Sequence, residues 1–384
     1  MSATAKDLFP LSKTTHQDLI NLCEALFGWR PCAEWIAKGK CEATDSPASH
    51  RHPNLQTFFD HYKYVTANYL PEVVGSSNAA LQSHGDLLDI VKFIRDRPHI
   101  ARSVLTSDYF QQKAKLTTGQ DAPSLADQEQ AFNIAVRIMV MVLPSAENQS
   151  DGLLEAGLQP TVWMNEQSLM QFISSSFPQR EHPALKQSGE LAAMAKVRLA
   201  SITARRLQNL AHLEIIPTSD MRNHLLLDEK RGAIAVFHFT SFLKENLSVG
   251  TIPSALVLET LVTTKEILFS DDAHSHAMLQ NLVSKKGFDP DILRIVDSPE
   301  YVVAVRKPIN YVYWGTRLME LHDELENPTP RGFMATWLER KSGARYMMLA
   351  TIAGLAFAIL LGIVGVGLSA FQAWIGWQQW KHPV

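Results

Sequence analysis

Thiolate and imidazole are zinc donors, and four of them recur at one interval: Cys23, Cys32, Cys41 and His50 stand nine residues apart, with His52 as a spare. Structural zinc sites usually pair ligands two to four residues apart, so eight intervening residues are off that pattern. Buried free thiols are the competing reading, since cysteine is among the most often buried side chains. Asp271, Asp272, His274 and His276 form a second donor cluster, which as plain sequence reads equally as a solvated loop. His238 lies between Phe237 and Phe239 where a hairpin runs into a helix, a place where α/β enzymes keep working residues. A packed or capping histidine is the alternative there, as no nucleophile or carboxylate partner can be named from spacing alone.

Enzyme signatures are absent: there is no G-x-S-x-G, Walker A or H-E-x-x-H. The glycines Gly362, Gly365 and Gly367 lie inside an apolar run, where they cannot cradle a phosphate. His322-Asp323-Glu324-Leu325 spells a retrieval signal that works only at a lumenal C-terminus, so here it is coincidence. No residue is assigned a catalytic, cofactor-binding or metal role, and no cofactor is expected.

The elements that would position these residues are mostly helical. Apolar spacing predicts helices over 19–27, 33–36, 55–70, 87–94, 100–110 and 128–142, with polar connections at 44–54 and 113–127. The stretch 144–160 is rich in turn formers and marks a boundary. Beyond it two similar units follow, a β run at 161–164 leading to a helix over 168–174 and another at 233–239 leading to a helix over 241–247, with Ser168 and Ser241 as caps. Their likeness is either an internal duplication or chance. Residues 224–238 read as a hairpin, 190–213 as one long helix, and 255–269, 276–283 and 311–325 as further helices. The basic residues Lys196, Arg198, Arg205 and Arg206 give the long helix a partly cationic surface, either solvated or close to anionic lipid.

The most informative run is Tyr346–Phe371, 26 residues without Asp, Glu, Lys, Arg or His. At about 1.5 Å per residue it reaches roughly 39 Å, more than a bilayer core of about 30 Å. Arg331, Arg340, Lys341 and Arg345 precede it and only Lys381 follows, so the positive-inside bias predicts a cytosolic N-terminal region. Its place near the end of the sequence reads as a tail anchor. Arg345 and Tyr346 on one side and Trp374, Trp377 and Trp380 on the other are the expected interfacial anchors. Ala350, Gly354, Ala358 and Gly362 fall four apart, a small-residue face that either lets two helices approach or reflects the ordinary composition of spans. The length of the run and its single distal lysine fit the endoplasmic reticulum or a later secretory membrane better than mitochondria. Before it, Pro328 and Pro330 break the chain into a hinge, and 333–341 reads as a short amphipathic piece suited to headgroups.

The organisation expected is an N-terminal helical segment (1–75), a helical domain (76–143), a helix/hairpin domain (160–326), a hinge with a basic juxtamembrane helix (327–345), a transmembrane helix (346–371) and a short tail (372–384). The fold class is mainly α with small β-hairpins plus one C-terminal transmembrane helix. Among 384 residues, 36 Lys+Arg against 39 Asp+Glu leave no basic excess for a nucleic-acid partner. Three cysteines, odd in number and confined to the first forty-one residues, suggest no disulfide framework.

Val236-Phe237-His238-Phe239, Ser241-Phe242-Leu243-Lys244, Phe288-Asp289-Pro290-Asp291, Trp314-Gly315, Glu324-Leu325-Glu326-Asn327-Pro328, Lys341 to Tyr346 and the ending Trp377 to Pro383 together carry a resemblance. They look like a group of uncharacterised filamentous-fungal proteins that end in one span. The resemblance implies one architecture and transfers no site. Fungal magnesium channels do not fit, because those have two spans joined by a Gly-Met-Asn turn. The function expected is a membrane-anchored protein with a cytosolic interaction or regulatory region, its partners being the lipid bilayer, other proteins and a second copy through the span. A membrane-bound enzyme with a site near His238 is the alternative, and winged-helix modules turned to protein contacts are a third reading.

Overall fold

The computed structural model of the chain describes residues 9–29, 55–71, 79–116, 122–146, 160–185, 190–306, 308–329 and 345–381. Two compact units result, Met1–Asn327 and Pro328–Val384.

The first unit is mostly helical. It begins with α1 (His16–Phe27), α2 (Gln56–Ala67), α3 (His84–Arg95), α4 (Arg102–Leu116) and α5 (Leu125–Val140). The starts of α1 and α3 are fixed by reciprocal caps, Thr15 with Asp18 and Ser83 with Asp86, each satisfying two orphan amides. Gly28 stops α1 in the left-handed conformation at φ 76°. α4 extends to Leu116 and α5 begins at Leu125, so the stretch 113–127 expected as a polar connection is helical at both ends; Gln111-Gln112-Lys113-Ala114-Lys115 has high helix propensity without an apolar period to announce it.

β1 (Pro144–Ser145) and β2 (Thr161–Val162) pair in parallel, and Ser168 caps α6 (Leu169–Ser176) as expected. The helix read over 190–213 is instead two, α7 (Glu190–Ser201) and α8 (Ala204–Asn209). Fully buried Ile202 plugs the break, and the Thr203 hydroxyl accepts from the Arg206 amide to start a new helix. β3 (Glu214–Thr218), β4 (Leu226–Asp228) and β5 (Ala233–Phe237) form a sheet in the order β3-β5-β4. The β4–β5 hairpin was legible; the parallel β3–β5 pairing was not. Pro217 sits in β3 because that strand is an edge, where a missing amide donor costs little. The two strand-to-helix units differ, since β2 has one parallel partner and β5 lies between two strands.

After the sheet come α9 (Thr240–Val249), α10 (Ser254–Val262) running into a π-helical stretch Thr263–Leu268, α11 (Ala273–Lys286), α12 (Pro299–Ala304) and α13 (Gly315–Glu326). One apolar cluster from Leu11 to Leu325 unites them. Phe58 stacks on Phe242 at 4.9 Å and Phe27 meets Phe242 edge-on at 6.0 Å, so the opening helices are fastened to α9.

The second unit contains α14 (Arg345–Lys381), 37 residues long and about 55 Å at the α-helical rise. Its stretch Thr351–Gln378 is long and apolar enough to cross a membrane, and none of it is buried. The helix thus continues ten residues beyond the Phe371 limit read from the apolar run, carrying the tryptophans with it.

Candidate functional site

His238 lies between β5 and α9, nearly buried, with its ring 4.1 Å from that of Phe239 and 5.4 Å from that of Phe288. Its Nδ1 accepts the Asp289 amide at 3.2 Å, so the ring proton sits on Nε2. Burial pushes its pKa down to about 3, leaving it neutral near pH 7. The carboxylate that spacing could not supply is Asp289, 48 residues from Ser241. Its Oδ2 accepts the Ser241 hydroxyl at 2.5 Å and the Ser241 amide at 3.0 Å, while Oδ1 accepts the Asp291 amide at 3.1 Å. Burial and the neighbouring Asp291 charge push Asp289 up to about 7 against those three bonds.

Ser241 therefore does not cap α9 as expected. Phe239 occupies the cap position without a side-chain bond, and Asp289 satisfies a first-turn amide from a distant part of the chain. Ser241 and Lys244 have the S-x-x-K spacing of acyl-transferring enzymes, where the lysine serves the serine. Here the Lys244 Nζ bonds Asp291 Oδ1 at 2.6 Å, and the Ser241 hydroxyl is committed to Asp289. A nucleophile must present its oxygen to substrate, and Ser241 is 2% exposed. The arrangement instead ties the first turn of α9 to the 288–291 turn.

A second buried network fastens α13. Glu259, on α10, accepts the amides of Val312 (3.1 Å), Tyr313 (3.0 Å) and Trp314 (2.5 Å), and Trp314 Nε1 donates to Thr260 at 2.8 Å. Desolvation pushes Glu259 up to about 7 despite the three amides. His224 takes the Phe237 amide on Nδ1 at 3.2 Å and bonds Thr263 through Nε2 at 2.8 Å; burial pushes its pKa down to about 3. Arg317, on α13, donates to the carbonyls of Arg222 and His224 and lies 5.2 Å over the Trp314 ring. These joints connect residues far apart in sequence, and only the π-helical widening of α10 accompanies them locally.

Among the described residues the metal candidates do not come together. Cys23 is buried and free, its thiol pushed up by burial, while Cys32, Cys41, His50 and His52 lie outside the described residues. Asp272 caps α11, accepting the His274 and Ser275 amides at 2.9 Å each; Asp271 faces Lys265 at 3.6 Å and His276 bonds Gln280 at 3.1 Å. Among the described residues no three His, Cys, Asp or Glu side chains gather as a metal site.

Two accessible features among the described residues are a groove and the long helix. The groove, about 410 Å³, lies between α4 and the start of α5 and has Leu125, 77% exposed, in its lining with Ser103, Phe110 and Asn165. Buried Arg102 also lines it, held by the Trp163 carbonyl at 2.7 Å and Asn133 Oδ1 at 3.1 Å. Exposed Val104 and Met164 are chain neighbours of the lining residues Ser103 and Asn165. On α14, Trp374, Trp377 and Trp380 are exposed, and Lys381 lies 4.6 Å over the Trp377 ring. A Cβ added at Gly354 or Gly362 would meet nothing within 4 Å, so the face they share with Ala358 is open. Arg345, Tyr346 and Ala350 belong to the same helix, their side chains lying outside the described ones.

Comparison with protein-family models, with curated proteins and with solved structures finds no match to this chain.

Proposed function

We propose that this is a single-span membrane protein whose helical unit faces the cytosol and binds protein partners at the membrane surface. The observation that carries the reading is α14, whose apolar stretch Thr351–Gln378 has no protein cover at all. An unburied apolar surface of that length is costly in water and favourable in lipid. Cytosolic placement rests on the basic residues Arg331, Arg340, Lys341 and Arg345 on one side against Lys381 on the other. The resemblance to fungal single-span proteins supports the same architecture, and the length of the span supports a secretory-pathway membrane. The open groove beside α4, with exposed Leu125 in its lining, offers a surface for a protein partner. The face of Gly354, Ala358 and Gly362 supports pairing of two spans.

Alkaline carbonate extraction and glycosylation mapping test the reading together. The protein is expected to stay with membranes, an acceptor introduced beyond Trp380 to be glycosylated, and the native Asn148-Gln149-Ser150 and Asn246-Leu247-Ser248 to stay bare. Release by carbonate refutes the anchor, and glycans at either native site refute the orientation.

A further inference from the structure

α7 has a composition suited to a lipid surface, and its fold places that surface outward. Taking about 100° per residue, Ala200, Ala193, Val197 and Met194 occupy one arc of roughly 120°. All four are exposed, Val197 at 70% and Met194 at 55%. Ala195, on the opposite side, is buried against the unit. Lys196 borders the apolar arc on one edge and Arg198 on the other. Arg205 and Arg206 on α8, both exposed, extend the cationic rim, and exposed Leu210 follows them. Glu190, in the first turn of α7, is the one acid between residues 190 and 213.

None of the four cations has an ion-pair partner among the described residues; the Arg206 guanidinium donates to the Ser201 carbonyl, at 3.1 Å. The carboxylates of α13, against which α7 and α8 pack, do not pair with them. An apolar stripe edged by Lys and Arg, whose stems lie along apolar surface while their heads reach phosphate, is the pattern of a helix lying in the headgroup layer. The chain also leaves this unit from α13, at Asn327, the helix that supports α7 and α8.

From this we infer that α7 and α8 form a docking face for an anionic lipid surface, with Met194 and Val197 inserted and Lys196, Arg198, Arg205 and Arg206 on the headgroups. The inference rests on the membrane reading above. Docking adds a charge-dependent lipid contact to the anchor, so that a change in surface charge releases this face without releasing the span.

The test uses the full chain in vesicles, with Cys32 and Cys41 replaced by Ser and an environment-sensitive fluorophore on V197C. Buried Cys23 stays unlabelled. In phosphatidylcholine vesicles containing roughly a third phosphatidylserine, the emission is expected to shift to the blue and rise about twofold relative to phosphatidylcholine alone, and to revert in high salt. A fluorophore on Y64C, exposed on α2, is expected not to respond. The charge reversals Lys196→Glu and Arg205→Glu together are expected to abolish the V197C response while leaving the thermal melt unchanged, because both side chains are exposed. An embedded protein whose V197C signal ignores phosphatidylserine, or persists after both reversals, overturns the docking inference and leaves the anchor standing. A protein that fails to float with the vesicles overturns the anchor, and the docking with it.

Discussion

The helical unit and α14 handle the same apolar side chains in opposite ways. In the unit, Phe58, Phe237 and Phe242 are enclosed to 2% exposure or less, and polar groups that follow them inside, such as Asp289 and Glu259, are each given several hydrogen-bond donors. On α14 every described side chain faces outward, and the polar groups of the backbone are satisfied within the helix. The difference shows where each part finds its apolar solvent: the unit builds its own, and α14 requires one from outside. Stability of the first is therefore a folding equilibrium in water and that of the second a partition into lipid.

The comparison breaks most sharply at paired phenylalanines. Phe242→Ala removes a ring stacked on Phe58 and should destabilise the unit by about 3–5 kcal/mol, read as a fall in the urea midpoint. Phe357→Ala on α14 should leave that midpoint unchanged, since Phe357 is exposed and belongs to the separate compact unit. Equal losses from both would mean that the two regions fold as one.

Titration sharpens the contrast, because Glu259 and His224 lie in the unit's interior. Glu259 is pushed from 4.5 up to about 7, so the native state holds its proton more tightly than the unfolded chain. That contribution is fully present below about pH 4.5 and is lost as pH rises through 7. His224 is pushed from 6.5 down to about 3; its contribution is present above pH 6.5 and is lost as pH falls toward 3. The two slopes oppose each other between pH 4.5 and 6.5. Glu259→Gln should therefore flatten the decline in urea midpoint toward pH 7, and His224→Gln should flatten the decline toward pH 4. Unchanged pH profiles in both variants would place these groups outside the folding equilibrium.

On α14 the informative change is steric. Replacing Gly354 and Gly362 together by Ile keeps the span apolar and fills the open face, and should weaken association of the isolated helix in membranes about tenfold, near 1.4 kcal/mol. An unchanged association signal makes the glycines a matter of composition. The smallest effect is expected at a cap: Ser83→Ala loses one arm of the reciprocal cap of α3 and should cost about 1 kcal/mol in the unit, again by urea midpoint.

What could be read from sequence follows the range of the interaction. α3 announces itself because Ser83 and Asp86 bracket its start and Leu87, Leu88, Ile90, Val91 and Ile94 repeat at helical spacing. The β4–β5 hairpin is equally local, and α14 needs no partner to be recognised. β3 escapes because its partner strand β5 comes only after the intervening β4 and because Pro217 breaks its β pattern. The division of α7 from α8 turns on a buried isoleucine and a threonine cap inside an otherwise continuous pattern. His238 could be singled out by its position, yet Asp289, which determines its tautomer, is 51 residues distant. Glu259 and Trp314 are likewise 55 residues apart, and no spacing rule connects a carboxylate to amides at that remove.

The carboxylate of Glu259 has a mechanical aspect. α13 is the last helix before the chain leaves the unit, and its beginning is held by three amide bonds to Glu259, by Trp314 on Thr260, and by Arg317 on the carbonyls of residues 222 and 224. A pull on the chain beyond Asn327 runs first along α13 and then into these joints, of which the bonds to Glu259 and Thr260 pass the load to α10. Freeing the root of α13 therefore requires several hydrogen bonds to break together.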